Sequence, residues 1–306
     1  MINLETTVAP ALRFKWAVPL LSLVGGGVLL GLSTNLAKTA SEMSLSPLAF
    51  LFWSVVGAAA ILLSLAAGRR ELPPINARSL EYYLVSALLG VAGSNLLFFS
   101  AVPHVGAGFV ALLICLPPLL TYAGALSLKM ERFQWLRAAG VVVALAGAAV
   151  LAAGKFSTVG SDRWWIVPVL VGTGMLAAGN LYRTLRWPVG ASASALAPGM
   201  LVAAAILLAA AASFPGLSLR VPLNQAPVLI LIATHSLVFA AMFQLLFVLQ
   251  KTGGPVLLSL LGSVGALTAV PVAIFLQGEA PPHGLLPGAL LIGTGVALLT
   301  FGKVLR

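Results

Sequence analysis

Charged residues are scarce in this chain. Only 8% of its 306 residues are Asp, Glu, Lys or Arg, whereas 60% are hydrophobic. A soluble domain carries about a quarter charged residues, because its surface must face water. The shortage therefore excludes an ordinary soluble protein and indicates a chain that lies in a lipid bilayer.

Cysteine is also scarce, and the signatures of common enzymes are missing. Cys115 is the one cysteine, so no intrachain disulfide can form, and its apolar surroundings indicate a small buried side chain. The three histidines, His104, His235 and His283, are far apart, and neither a phosphate-binding loop nor an H-E-x-x-H zinc motif is present. We therefore expect no enzyme, no metal site and no cofactor.

Carboxylates are the scarcest charged groups. The chain has seven Asp and Glu residues, and each lies in a terminal segment or at the edge of a predicted loop. Proton-driven pumps and transporters commonly place such groups inside their membrane spans. Their absence there favours facilitated diffusion of a solute over proton-coupled transport.

Long apolar runs make up most of the chain. A membrane span needs about 20 mostly apolar residues, and ten runs of about that length are separated by breaks rich in Gly, Pro and charge. The sequence therefore predicts an all-α polytopic membrane protein. Its ten predicted spans cover residues 16–38, 46–67, 79–102, 105–128, 132–154, 164–186, 192–213, 225–250, 254–277 and 284–303.

The basic residues predict the orientation of these spans. The net charge of +10 comes from short clusters between apolar runs, which argues against a nucleic-acid partner. With the N-terminus inside, 13 of the 17 Lys and Arg residues, Arg183 among them, fall on the inner side. Cytoplasmic loops carry such an excess. We therefore expect a bacterial inner-membrane protein with both termini in the cytoplasm.

A repeat register relates the two halves of the chain. A shift of 148 residues places Gly106 on Gly254 and Glu131 on Glu279, and a slightly smaller shift places Asn35 on the equivalent asparagine of the second half. Each Glu stands just before a predicted span, where a carboxylate stabilises the positive end of a helix. We therefore expect both carboxylates to cap those helices.

Five spans in each half is an odd number, so the second half must be inverted relative to the first. Inverted repeats are typical of secondary transporters, whose binding sites lie between the halves near the middle of the membrane. The predicted organisation is an N-terminal cytoplasmic segment, a first five-helix repeat and a second, inverted repeat, at residues 1–15, 16–155 and 160–306.

With its two stretches from Gly106 to Glu131 and from Gly254 to Glu279, each followed by a glycine-rich span, the chain resembles the drug/metabolite transporter superfamily. Members have paired EamA domains, and the chain is most similar to their bacterial amino-acid exporters. The resemblance implies a monomeric exporter of neutral, aromatic and other apolar amino acids that works by alternating access. An exporter of another metabolite or drug, and a membrane-embedded enzyme or assembly factor, remain alternatives.

His235 is the titratable residue predicted nearest to the middle of a span. Helical spacing places it on one face with Phe239 and Met242. An aromatic and thioether lining would suit a substrate with an apolar side chain. His235 could hydrogen-bond the substrate or a neighbouring helix, so its face is either the cavity lining or ordinary core.

Further candidate cavity residues lie on predicted span 3 and among the tryptophans. Small and hydroxylated residues at helical spacing leave room for either a ligand or a neighbouring helix. Tryptophans near span ends also form interfacial belts, so structural roles remain open for the whole set. The candidates are Tyr82, Tyr83, Ser86, Ser94, Asn95, Trp53 and Trp164.

Prolines predict where the spans bend. Pro117 and Pro118 lie in predicted span 4, and Pro271 lies in span 9, its repeat partner. Proline has no N–H to donate, so we expect free carbonyls at Leu113 and Leu267. The resulting kinks would act as hinges for alternating access or as static bends.

Overall fold

The chain is a bundle of helices in its computed structural model. The structure describes residues 8–129, 132–158, 160–252, 258, 260–281 and 283–301. These residues contain no β-strand, as the composition predicts. The repeat markers Glu131 and Gly254 lie outside the described residues.

Seven helices occupy the first half of the chain. They are α1 (Val8–Glu42), α2 (Pro47–Gly68), α3 (Ala77–Ala87), α4 (Gly93–Val105), α5 (Ala107–Leu113), α6 (Pro117–Ser127) and α7 (Trp135–Thr158). A π-helical turn, Leu88–Ala92, joins α3 to α4, so the two form one apolar rod from Ala77 to Val105.

The described part of the second half contains five helices. They are α8 (Ile166–Leu185), α9 (Ala193–Ala211), α10 (Ala226–Thr252), α11 (Leu261–Pro271) and α12 (Leu285–Phe301). A second π-helical turn, Val272–Leu276, follows α11 directly. Pro271 is therefore the last α-helical residue before a change of helix type.

Six stretches of the described residues are long and apolar enough to span a membrane. Three further apolar helices are shorter. Together they make the chain a multi-pass membrane protein. The six long stretches are Ala17–Glu42, Pro47–Gly68, Ala77–Val105, Ala107–Ser127, Ala193–Ala211 and Ala226–Thr252, and the shorter ones are Trp135–Leu151, Leu261–Leu276 and Leu285–Leu298.

Several helices begin at a polar cap. The side chain of Ser46 accepts a hydrogen bond from the backbone N–H of Ala49, and Asn76 and Ser192 cap α3 and α9 in the same way. Such caps satisfy N–H groups that the helix itself leaves unbonded. The polar breaks in the sequence therefore set where these helices start.

Small residues set the closest contacts between helices. At Gly31 of α1 a side chain would collide with the backbone of α11 at Gly265, and at Gly147 of α7 it would collide with α12 at Gly288. Lipid offers no hydrophobic drive for helices to associate, so close backbone packing is needed. These glycines bring one helix from each half together along two seams.

The loops that connect the helices contact one another at the two ends of the bundle. At one, the Lys38 end, Lys38 meets Glu279, and the Ser46 hydroxyl donates to the carbonyl of Ser218 at 3.0 Å. At the other, the Glu71 end, the Ser192 hydroxyl donates to Glu71 at 3.1 Å, and Ser194 donates to it as well. These hydroxyls hold the pKa of Glu71 below its usual value.

Predicted span 4 is broken rather than kinked. Helix α5 ends at Leu113 and α6 begins at Pro117, followed by Pro118. The N–H of Leu116 donates to the carbonyl of Leu113 at 3.0 Å, so the expectation of a free carbonyl there was wrong. A tight turn uses that carbonyl, and the prolines occupy helix-start positions that need no N–H.

Candidate functional site

A cavity lies beside the break between α5 and α6. Its volume is about 30 Å³, and its lining is apolar except for Asn180. It lies between the first and second halves of the chain, because both contribute lining residues. These are Leu30, Ile114 and Pro117 from the first half and Leu176, Asn180, Leu246, Leu258, Leu261 and Gly262 from the second.

A narrower cleft shares part of this lining. It is too narrow to hold a water molecule and extends along α1 past Gly31 and Thr34, toward the Lys38 end. Ligand pockets usually measure about 300–1,000 Å³, so the cavity, at about 30 Å³, is too small for an amino acid in this conformation. The combined shape is that of a nearly closed central site.

His235 forms the centre of an aromatic cluster. Its ring is fully buried, and the ring centroids of Phe50 and Phe239 lie 4.5 and 4.4 Å away, with Phe99 at 5.6 Å. Its Nε2 is 2.9 Å from the Ser33 hydroxyl of α1. His235 therefore hydrogen-bonds to a neighbouring helix, one of the two partners that the sequence left open. It is not among the residues that line the cavity.

Phe239 and Met242 are buried with His235, as their shared face predicts. Phe239 belongs to the aromatic cluster itself. One turn beyond Met242, Leu246 reaches the cavity. The predicted face of α10 thus runs from the aromatic cluster to the cavity wall.

The candidate residues of predicted span 3 do not all contact the same neighbour. Tyr82 and Ser86 are buried, and Tyr82 lies within electrostatic range of the guanidinium of Arg183. Tyr83 instead packs on Gly199 of α9, and its hydroxyl donates to the carbonyl of Pro74 at 3.4 Å. Tyr82 thus lies near a charged group whose burial the sequence had not suggested.

Arg183 is that group. The excess of Lys and Arg predicted it on the inner face, but its side chain is fully buried in α8. Its Nε donates to Gln250 Oε1 at 3.3 Å and its Nη2 donates to Asn180 Oδ1 at 2.5 Å. Because Asn180 also lines the cavity, the cavity and this buried cation are directly linked.

The remaining candidates lie elsewhere. Asn95 donates to the carbonyl of Val91 in its own helix at 3.0 Å, and Ser94 is buried nearby. Trp53 is 39% exposed and donates to the carbonyl of Leu219, while Trp164 is 67% exposed. The structure does not place these four side chains at the cavity lining.

Glu279 lies at the Lys38 end of the bundle and caps the start of α5. Its two carboxylate oxygens accept hydrogen bonds from the N–H groups of Ala107, at 2.7 Å, and Gly108, at 3.1 Å. Lys38 Nζ lies 3.2 Å from the same carboxylate. Gly106 precedes the helix with a φ of 89°, a conformation that glycine adopts most easily. We call this arrangement the Lys38–Glu279 clasp.

The clasp corrects one expectation about Glu279. A cap was predicted, but on the helix that follows Glu279 in the chain, α12. The observed cap is on α5, which starts more than 170 residues earlier. A carboxylate stabilises any helix start that tertiary packing brings to it, so position in the chain does not decide which helix it caps.

Comparison with known proteins gives the chain a family context. Residues 17–153 match the EamA-like transporter family. A protein of Streptantibioticus cattleyicolor described as a probable terminal-alkyne amino-acid exporter is 30% identical over 118 residues. That match covers 38% of this chain and 40% of the relative, so it spans less than half of either protein.

A solved crystal structure has the same overall fold. It superimposes with a TM-score of 0.66, covering 93% of this chain and 98% of the other. The two sequences are 17% identical, so this similarity concerns the fold alone.

Proposed function

We propose that this chain, an EamA-like transporter by its residues 17–153, exports neutral amino acids with aromatic or other apolar side chains. The family match and the exporter relative support export of a small molecule. The apolar cavity supports the narrower substrate class, because it would accept an apolar side chain and exclude a highly charged one.

The observation that carries this proposal is the cavity at a broken helix between the two halves. Broken helices inside a membrane are tolerated where their backbone is buried in protein or lines a cavity. Transporters place binding sites at such breaks. Here the break at Ile114 to Leu116 faces α11, whose Gly262 carbonyl accepts the Cys115 thiol at 3.4 Å.

Alternating access through ten spans in two inverted halves is the mechanism we infer. The two sets of connections support it, since loops expected on the same side of the membrane contact one another at each end. The clasp would open and close the Lys38 end, and Pro117, Pro118 and Pro271 stand where helices break or change type. The excess of Lys and Arg supports cytoplasmic termini in a bacterial inner membrane.

Counterflow in liposomes tests the substrate class. Purified protein in vesicles preloaded with unlabelled phenylalanine or leucine should accumulate the labelled amino acid, and arginine and aspartate should compete poorly. Failure with every amino acid, together with exchange of another solute class, would contradict the amino-acid proposal.

A matched pair of glycine variants ties the activity to the cavity. In Gly262→Ala the new methyl group would collide with the carbonyl of Ile114 at the helix break, whereas at Gly174 of α8 nothing lies within 4 Å of a new methyl group. We expect G262A to reduce counterflow strongly and G174A to retain it. Equal rates in two well-folded variants would show that the break is not the transport site.

A further inference from the structure

Arg183 is a buried cation that no carboxylate of the described residues balances. Its side chain has no solvent exposure, and no carboxylate of the described residues forms an ion pair with it. Burying an unpaired guanidinium is strongly unfavourable. Ionisable residues inside membrane proteins accordingly tend to be retained for function.

The hydrogen bonds of Arg183 orient it without neutralising it. A guanidinium has five N–H donors in a rigid planar fork. The partners of Nε and Nη2 are the neutral amides of Gln250 and Asn180, and Gln250 in turn donates to Thr184 at 3.4 Å. Nη1 has no hydrogen-bond partner among the described residues.

Two more donors lie near this free edge. The hydroxyls of Tyr82 and Ser86 are buried without a hydrogen-bond partner in the described part of the chain. Tyr82 lies within electrostatic range of Arg183 and beside Ser86. Gly90 lies against Nη1, and any side chain there would occupy the same space. Nη1 of Arg183 and these two hydroxyls are therefore groups of the kind that donate to an anionic oxygen.

We propose that Arg183, with Tyr82 and Ser86, binds the carboxylate of the transported amino acid. This inference rests on the proposed function and names the polar half of its site. Asn180 touches the guanidinium and also lines the cavity. A bound amino acid would thus place its carboxylate at Arg183 and its side chain among Leu30, Leu176 and Leu246.

The test compares Arg183→Gln with Arg186→Gln, a matched control at the exposed residue just after the end of α8. Counterflow of phenylalanine is measured against that of phenethylamine, which has the same side chain without the carboxylate. We expect R183Q to raise the KM for phenylalanine about tenfold to a hundredfold and to leave phenethylamine unchanged. R186Q should match the wild type, and Arg183→Lys should fall between.

Three results would overturn the carboxylate site. Equal losses for phenylalanine and phenethylamine in folded R183Q would show a structural role, and unchanged kinetics for both would show no role. Recovery of R183Q by the second substitution Glu131→Gln would show that Arg183 balances a protein carboxylate instead. If the wild type exchanges no amino acid at all, the proposed function fails before this comparison is reached.

If R183Q fails to fold, Tyr82→Phe provides the same comparison at a second donor. It removes one hydroxyl and keeps the buried ring. We expect it to raise the KM for phenylalanine and not for phenethylamine. An equal effect on both would contradict the site.

Discussion

At the scale of single residues, His235 illustrates how a polar side chain is accommodated inside the bundle. One ring nitrogen meets Ser33 on α1, and the ring packs against Phe50 and Phe239. A buried polar group is tolerated when it finds a hydrogen bond. The position of His235 therefore fits a link between helices better than a contact with substrate.

A double-mutant cycle tests this link. Ser33→Ala, His235→Leu and the double variant are compared by thermal unfolding in detergent. We expect a coupling of about 0.6 kcal/mol, the average for hydrogen bonds between membrane helices. The phenylalanine KM of H235L should stay within about twofold of the wild type, because the ring does not line the cavity. A stable H235L protein with a greatly raised KM would return His235 to the substrate site.

Arg183 was missed at the sequence level although a signal was present. Asn35 and Asn180 were matched between the halves, but each is also followed three residues later by a cation, Lys38 and Arg183. Residues three apart lie on one helix face. The repeated polar pair singles out Arg183 among the inner-side cations but does not predict its burial. In the structure Lys38 meets a carboxylate, whereas Arg183 meets two amides.

At the scale of elements, the short helix α5 depends on the clasp. A seven-residue helix has little stability of its own, and Glu279 satisfies two of its first N–H groups. The loop after α11 is thereby attached to the helix that leads into the break. Release of Glu279 is expected to free α5 and open the central site toward the Lys38 end.

Cys115, the native cysteine next to the break, can report this opening. It is buried beside Gly262, so a maleimide reaches it only when the helices separate. We expect Glu279→Gln to increase the labelling rate about fivefold or more, because a loss of about 1 kcal/mol of cap energy changes an opening equilibrium by that factor. The control is Glu42→Gln, because the Glu42 side chain is 58% exposed and its carboxylate makes only a long contact with Lys38 Nζ, at 3.9 Å. Equal labelling of both variants would contradict a gating role for the clasp.

At the scale of the whole molecule, the carboxylates that the structure describes lie toward the ends of the bundle. Glu71 and Glu279 belong to the two sets of end contacts, Glu42 is the last residue of α1, and Glu81 is the fifth residue of α3. None of these side chains lines the central cavity. A proton-coupled transporter would need a titratable group that responds to substrate, and the described carboxylates are not placed to do so.

Transport is therefore expected to need no proton gradient. Net export of phenylalanine from sealed liposomes should proceed at the same rate with and without a pH difference of one unit, and should stop when the substrate gradient is zero. A protonophore in the same vesicles should change nothing. Uphill accumulation driven by the pH difference would contradict facilitated diffusion.

Membrane insertion and the approximate positions of the spans could be predicted from the chain itself. Each apolar run partitions into lipid through its own residues, and Lys and Arg act near the ends of their own spans. Predicted spans 2 and 8, residues 46–67 and 225–250, accordingly agree closely with Pro47–Gly68 and Ala226–Thr252. Hydropathy could not distinguish the broken span 4 from a continuous one, because both α5 and α6 are apolar.

The partners of the polar side chains were decided by tertiary packing alone. Ser33 meets His235 across 202 residues of chain, and Glu279 caps a helix that starts 172 residues before it. Hydrogen bonds and burial depend on which helices pack together, and no local pattern contains that information. For the same reason an arginine at the edge of an apolar run became the most deeply buried charge in the described bundle.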